Sequence, residues 1–269
     1  MQEVIFLICL GIIWLIFAGI CDLKKREIPN WVSFSLIVFV LGFRFFYSLF
    51  NWDFNFFYQG LIGLGIFFIL GNLFYYGRLF AGGDAKLLIA LGVVLPLSTN
   101  FLANLKIFGW FLFLFLIVGG IYGLVWSFVL SAKNFEKFRK EFLKQFKKNK
   151  FYVLLLICFA IVNILLVFYN WIFFYLGFLI FIFSFLFLHA KAVEESCMVK
   201  DIPVKELTEG DWLYENVKVG NKIIKSSWEG LSEKDILLLK KFKKKIKVKY
   251  GIPFVPVFLI AFLVLIYFI

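Results

Sequence analysis

Two aspartates occur at the ends of apolar runs, where acidic residues are unusual. Asp22 ends the first apolar run, and Asp84 lies in the segment Phe80-Ala81-Gly82-Gly83-Asp84-Ala85-Lys86, which opens the run Leu87 to Leu97. An acid at membrane depth is energetically costly and is by default a candidate for function, usually together with a partner. We therefore expect Asp22 and Asp84 to act as a pair.

The surroundings of the two aspartates favour acid–base chemistry. Gly82 and Gly83 lack a Cβ atom, which allows a non-helical turn and the close approach of another chain. Asp84 then falls in the first turn of a helix, where the macrodipole favours an anion, whereas Asp22 falls at a helix end that disfavours one. If the carboxyl groups meet, they can share a proton: one activates water while the other polarises a scissile carbonyl. That is aspartyl protease chemistry, and the sequence does not assign the two parts.

The other acids of the first half are poorer candidates. Residues 1–131 contain five acids: Glu3, Asp22, Glu27, Asp53 and Asp84. We expect Glu3 and Asp53 on the outer side and Glu27 in a solvated ion pair within a basic turn. The alternative for the pair is a structural polar contact, or a salt bridge from Asp84 to Arg78 or Lys86.

Composition places the chain in the membrane. It has 269 residues, of which 63% are hydrophobic and 22% aromatic, and a mean hydropathy of +0.94; these values are far from those of soluble domains. About 17–25 apolar residues span a bilayer. Runs of this kind predict about eight transmembrane helices, at 4–21, 31–50, 56–76, 79–98, 108–131, 151–169, 171–188 and 252–269.

The net charge is +12, and the positive residues are concentrated in alternate connections between the apolar runs. All Lys and Arg except Arg44 and Lys106 lie in four alternate connections, at 22–30, 77–86, 132–150 and 190–250. The positive-inside rule makes these connections cytoplasmic and both termini external, at the plasma membrane. This placement argues against nucleic acid as a partner. Arg44 is near the end of its span, and we expect its long side chain to snorkel to the interface.

The second half of the chain divides by composition into four segments after the catalytic core, 1–131. Residues 132–150 alternate Phe and Lys at helical spacing, which predicts a basic amphipathic helix on an anionic inner leaflet. A transmembrane hairpin follows at 151–188, with its turn at 169–171. Residues 190–250 predict a small α+β cytoplasmic domain for docking or stabilisation, and 252–269 the last helix. Within that domain we expect strands at 211–214, 217–219 and 222–224, a turn at Gly220-Asn221, and a capping box opening at Ser232.

Other catalytic chemistries find little support. The four cysteines, Cys9, Cys21, Cys158 and Cys197, have neither zinc-site nor disulfide spacing. His189 is expected at the end of its helix, at the interface. No G-x-S-x-G, Walker or dinucleotide motif is present. We therefore expect no metal and no cofactor.

The turn after Asp22 completes a recognisable pattern. It reads Leu23-Lys24-Lys25-Arg26-Glu27-Ile28-Pro29-Asn30; Pro29 disfavours helix before it, and we expect Asn30 to cap the second helix. Together with Gly82-Gly83-Asp84-Ala85-Lys86, this turn resembles the type IV prepilin and preflagellin (prearchaellin) peptidases, membrane aspartyl proteases of the GxGD class. The late cytoplasmic segment followed by a final helix is similar to the archaeal branch.

The resemblance implies roles for particular residues. The catalytic aspartates are Asp22 and Asp84 and the motif glycine is Gly83, with Gly82 and Lys86 as substrate-binding or supporting positions. Ala81 replaces the first glycine of the motif. The cysteine-bearing zinc loop of bacterial members is absent, which argues against a methyltransferase activity.

The resemblance also implies a fold and a substrate. The expected fold is an all-α polytopic membrane protein: a six-helix peptidase-like core, an extra hairpin, and a small α+β domain before the last helix. The expected substrates are pilin-like preproteins, prepilins or prearchaellins, whose short basic leader is removed at the cytoplasmic face. Two alternatives are a proton-coupled transporter that relays protons through Asp22 and Asp84, and a non-catalytic membrane scaffold for pilus or archaellum assembly. The sequence leaves the oligomeric state open.

Overall fold

The computed structural model describes residues 2–219, 222–228, 230–242 and 245–269. Over these residues the chain forms ten α-helices and five short strands, which fall into two compact units. The first unit comprises Met1–Gly123 and Ile252–Ile269, and the second comprises Leu124–Gly251. The helices are α1 Gln2–Lys25, α2 Asn30–Asn51, α3 Asn55–Tyr76, α4 Gly82–Leu91, α5 Phe101–Lys133, α6 Phe135–Lys148, α7 Lys150–Leu165, α8 Trp171–Ser196, α9 Glu233–Phe242 and α10 Val255–Phe268.

The described residues include six helices long and apolar enough to cross a membrane: α1, α2, α3, α5, α7 with its 3-10 extension to Phe168, and α8. The apolar helix α10 is shorter, at 14 residues. The polytopic, mainly helical architecture predicted from the sequence is confirmed. The difference in helix number comes from α10 and from the fourth apolar run, where α4 has only 10 residues instead of a span over 79–98.

Helix α4 ends early because of how closely it approaches α3. A Cβ atom on Gly63 of α3 would overlap the carbonyl oxygen of Gly92, and a Cβ on Gly92 would lie 2.7 Å from the Gly63 oxygen. Pro96 follows, and it has no backbone N–H to continue a helix. The chain therefore leaves α4 through turns at 92–94 and continues as irregular structure to 98. Three glycines of α3 face closely packed neighbours: Gly60 faces Arg44, Gly63 faces Gly92, and Gly71 faces Ile89.

Arg44 of α2 stabilises this non-helical segment. It is fully buried, and its guanidinium donates to three backbone carbonyls: Nε to Val93 at 3.0 Å, Nη1 to Phe56 at 2.9 Å and Nη2 to Pro96 at 2.5 Å. The guanidinium also lies over the Phe56 ring, 4.4 Å from its centroid. The expectation that Arg44 snorkels to the interface is wrong, because the carbonyls freed where α4 ends solvate its charge inside the unit.

The second unit contains the basic helix α6 and the α7–α8 hairpin. The hairpin turn is where the sequence predicted it, and the Asn170 side chain caps α8 by accepting from the Ile172 N–H at 2.9 Å. Helix α8 runs to Ser196, so His189 lies inside the helix and not at its end. Its ring packs against Phe128 and Phe138, with centroids 4.5 and 5.1 Å away.

The strands of the second unit are β1 Val199–Pro203, β2 Trp212–Leu213, β3 Val217–Val219, β4 Lys222–Ile224 and β5 Lys245–Lys249. They form an antiparallel sheet in the order β1-β5-β2 and a β3–β4 pair. The turn expected at Gly220-Asn221 lies outside the described residues. The predicted capping box is present: the Ser232 hydroxyl donates to Asp235 Oδ2 at 2.6 Å, and the Asp235 N–H donates back to that hydroxyl at 3.3 Å.

Candidate active site

Asp22 lies between the end of one helix and the start of another. It belongs to the last turn of α1, and only 6% of the residue is exposed. Its Oδ2 accepts a hydrogen bond from the backbone N–H of Val255, the first residue of α10, at 2.9 Å. The Phe254 N–H is a second backbone neighbour of the carboxylate. The unpaired N–H groups of a helix start favour an anion, so α10 offsets the unfavourable end of α1.

Asp84 lies in the first turn of α4, as predicted. It is half-buried, and its carboxylate interacts with the backbone N–H of Ala81, the residue preceding the helix. This contact from the third helical position back to the cap is half of a capping box. The expectation of a non-helical turn at Gly82 and Gly83 is wrong, because they are the first two residues of α4.

Gly83 is the position where the two motif segments come together. A Cβ atom at Gly83 would lie 3.3 Å from the Ile28 Cβ and 3.4 Å from its Cδ1. A Cβ at Gly82 would meet only the ring of Tyr75, at 3.7 Å. The absence of a side chain at Gly83 therefore lets the turn after Asp22 pack on the start of α4.

Lys86 joins the same two segments by a hydrogen bond. Its Nζ donates to Asn30 Oδ1 at 2.7 Å. The Asn30 side chain makes no capping bond to α2, which begins at Asn30 with Pro29 as the preceding residue. The expectation that Asn30 caps α2 is therefore wrong, since the Asn30 side-chain oxygen accepts from Lys86 instead.

Charged groups lie within electrostatic range of both aspartates. The charge of Asp22 affects Asp84, and Asp22 is in turn within range of the positive charge of Arg26. Tyr122 of α5 also lies within range of Asp22. Within the described part of the chain, no group of three or more His, Cys, Asp or Glu side chains is placed to hold a metal ion.

The backbone donor at Val255 was missed by the sequence interpretation. A signal for it existed: Pro253 and Pro256 mark the start of the last helix, and the charge pattern puts that start on the same side of the membrane as Asp22. The sequence gives no indication that α1 and α10 are neighbours. In the structure they pack closely, since a Cβ on Gly11 of α1 would lie 3.1 Å from the Phe262 ring of α10.

Comparison with known proteins identifies the segment that carries both aspartates. Residues 9–128 match the type IV leader peptidase family. The match covers less than half of the chain, so the chain is similar to this family over that segment. Together with its apolar helices, this makes it a multi-pass membrane protein. The matched residues include Asp22, Asp84 and their motif neighbours, whereas α10 lies outside them.

Three relatives of this chain are preflagellin peptidases. The protein of Methanocaldococcus jannaschii is 36% identical over 86 residues, which are 32% of this chain and 36% of the relative. Those of Methanococcus maripaludis and Methanococcus voltae are 30% identical over 153 residues and 29% identical over 155 residues. These alignments cover 52% and 55% of this chain and 66% and 64% of the relatives. The chain thus spans less than two thirds of each relative. No solved structure matches the chain.

Proposed function

We propose that this protein is a membrane aspartyl endopeptidase whose catalytic dyad is Asp22 and Asp84. It removes the short basic leader from type IV pilin-like preproteins, prepilins or prearchaellins. The names of the three relatives support this class of substrate. The observation that carries the proposal is the junction of the two motif segments, made by Gly83 against Ile28 and by Lys86 with Asn30.

The junction supports the dyad because it holds the two acids from segments far apart in the sequence. The turn after Asp22 packs directly on the first turn of α4, which contains Asp84. Asp84 lies within electrostatic range of the Asp22 charge, and two interacting carboxyls can hold one proton between them. One carboxylate and one carboxylic acid are the two groups that water activation and carbonyl polarisation require.

In this proposal Asp22 is the carboxylate of the pair. A charge-assisted hydrogen bond from Val255 and the nearby charge of Arg26 both stabilise its anion. Asp22 then takes the proton from water, and the protonated Asp84 donates to the oxygen of the scissile carbonyl.

The charge distribution supports cleavage on the cytoplasmic side. Lys and Arg accumulate in the connections that contain or adjoin both aspartates, and such connections are cytoplasmic by the positive-inside rule. The basic leader of the substrate then meets two acids at the inner face while its apolar helix stays in the bilayer. The exposed lysines of α6 are suited to an anionic inner leaflet.

Leader removal in membranes tests the proposal. A prepilin or prearchaellin substrate is incubated with membranes that contain the wild-type chain, Asp22→Asn, Asp84→Asn or Asp53→Asn at equal protein level. Asp53 is an exposed acid whose carboxylate accepts only a local bond from the Asn55 N–H among the bonds described, so it is the matched control. We expect cleavage by the wild type and Asp53→Asn, and none by the two dyad variants.

The outcomes separate the proposal from its alternatives. Full processing by Asp22→Asn or by Asp84→Asn would remove that residue from the catalytic machinery. A wild type that fails to cleave several pilin-like leaders would overturn the peptidase assignment.

A further inference from the structure

We infer that the backbone N–H of Val255 is a positioning group of the active site, which makes the last helix part of the catalytic machinery. The inference rests on the proposed function. It adds a group that holds Asp22 but does not touch the substrate, from a helix outside the residues that match the family.

The contact has the features of a built interaction. Asp22 and Val255 are 233 positions apart, their hydrogen bond is 2.9 Å long, and both residues are buried. The Val255 N–H is at the first position of α10, where a helix has no internal acceptor for it. The next residue, Pro256, has no N–H. The donors that reach Asp22 are therefore those of Val255 and its neighbour Phe254.

An aromatic cluster fixes the start of α10. The Phe254 ring lies 5.6 Å from Phe115 of α5 and 6.1 Å from Phe80, measured between centroids. Phe80 opens the segment that contains Asp84, so the same cluster contacts the chain on both sides of the dyad. Gly119 of α5 leaves room for Phe254, because a Cβ atom there would lie 3.0 Å from the Phe254 Cζ.

This arrangement lets the Val255 N–H fix the orientation of the Asp22 carboxylate. The carboxylate of Asp22 can rotate about its side-chain bonds, and a hydrogen bond to Oδ2 from a rigid helix start selects one orientation. A loss of orientation lowers the rate of the chemical step more than the binding of the substrate.

Replacing one amide by an ester tests the hydrogen bond alone. The α-hydroxy analogue of valine, incorporated at position 255 during cell-free synthesis into lipid nanodiscs, removes the N–H while keeping the side chain. The ester also weakens the Phe254 carbonyl, which accepts from the Val257 N–H at 3.0 Å. The same analogue at position 257 removes that bond from its donor side and is the matched control.

We expect the ester at 255 to lower kcat for leader cleavage by about tenfold or more, with KM unchanged. The ester at 257 should leave kcat within about twofold, since it costs a neutral helix hydrogen bond and leaves Asp22 its partner. Equal kcat values for the two esters would overturn the inference. So would a fall in both kcat and melting temperature at 255 alone, which indicates a purely structural role.

A second test uses two adjacent glycines of α5. Gly119→Val pushes Phe254 and the helix start away from Asp22, whereas a Cβ at Gly120 meets no atom within 4 Å. We expect Gly119→Val to lower kcat and Gly120→Val to leave it unchanged. Cleavage by the wild type that neither variant alters would refute the positioning role while leaving the peptidase intact. A wild type without activity would instead refute the proposed function.

Discussion

Lys86 and Asn30 are 56 positions apart in the sequence, yet Lys86 Nζ lies 2.7 Å from Asn30 Oδ1. Each residue belongs to one of the two segments that contain the aspartates. Lys86 is two residues after Asp84, and Asn30 ends the turn that begins after Asp22. This hydrogen bond therefore links the two segments that contain the aspartates.

The first prediction concerns this bond. Lys86→Met and Asn30→Ala should each lower kcat/KM for leader cleavage by about two- to tenfold, because the segments lose a polar link. The melting temperature should change little, since Lys86 and Asn30 are both exposed. The double variant should be no slower than the slower single variant, as expected for residues acting through one contact. Lys106→Met removes an exposed lysine of α5 and serves as the control; independent, additive losses in the double variant would contradict a shared contact.

The second prediction concerns the apolar half of the junction. Gly83→Ala should reduce cleavage strongly, because its Cβ would lie 3.3 Å from the Ile28 Cβ and the two segments would have to separate. Gly82→Ala should cause a smaller loss, since its Cβ meets Tyr75 at an ordinary contact distance of 3.7 Å.

Rescue distinguishes crowding from other effects of the Gly83 substitution. Ile28→Ala shortens the opposing side chain and should restore part of the activity in the Gly83→Ala background. Initial cleavage rates in nanodiscs measure both effects. If Gly83→Ala and Gly82→Ala were equally active, close packing against Ile28 would not be what requires glycine at position 83.

Features determined by local sequence were predictable. Asp84 at a helix start, the Asn170 hairpin turn and the Ser232 capping box each depend on residues within a few positions of one another. Patterns of polar and apolar residues over one or two turns contain that information.

Features that depend on distant neighbours were not predictable. Arg44 is buried because carbonyls 49 and 52 positions away accept from it, and a single charged residue gives no sign of such acceptors. The same holds for the bond between Val255 and Asp22. Strand β5 was not among the expected strands, because its pattern, Lys245-Ile246-Lys247-Val248-Lys249, has a lysine at every second position. Ile246 and Val248 nevertheless lie buried in the sheet core.

The third prediction is that Arg44 stabilises the fold without taking part in catalysis. Arg44→Met leaves three buried carbonyls without their donor, which should lower the free energy of unfolding by about 3 kcal/mol or more. The free energy of unfolding of Arg44→Lys should lie between those of the wild type and Arg44→Met, because a single ammonium cannot satisfy three carbonyls spaced for a guanidinium. Thermal unfolding in detergent, followed by tryptophan fluorescence, measures the order of the three proteins. The control is Arg139→Met, at an exposed position of α6, which should unfold at the same temperature as the wild type. If Arg44→Met melted at the same temperature as Arg139→Met, water would be replacing the guanidinium and the prediction would be wrong.

The fourth prediction compares two glycines of α3. Gly63→Ala should destabilise the first unit because the added Cβ overlaps the Gly92 carbonyl oxygen and lies 2.7 Å from the Pro96 ring. Gly65→Ala, two residues along the same helix, adds a Cβ that meets no atom within 4 Å. It should be neutral or slightly stabilising, by up to about 1 kcal/mol, because alanine has the higher helix propensity. Since α4 is displaced only in Gly63→Ala, that variant should also lose leader cleavage while Gly65→Ala keeps it. The melting temperature and the cleavage rate, measured on the same nanodisc samples, test the effects on stability and on activity. A Gly63→Ala protein that melts and cleaves like Gly65→Ala would rule out close α3–α4 packing as the determinant of where Asp84 lies.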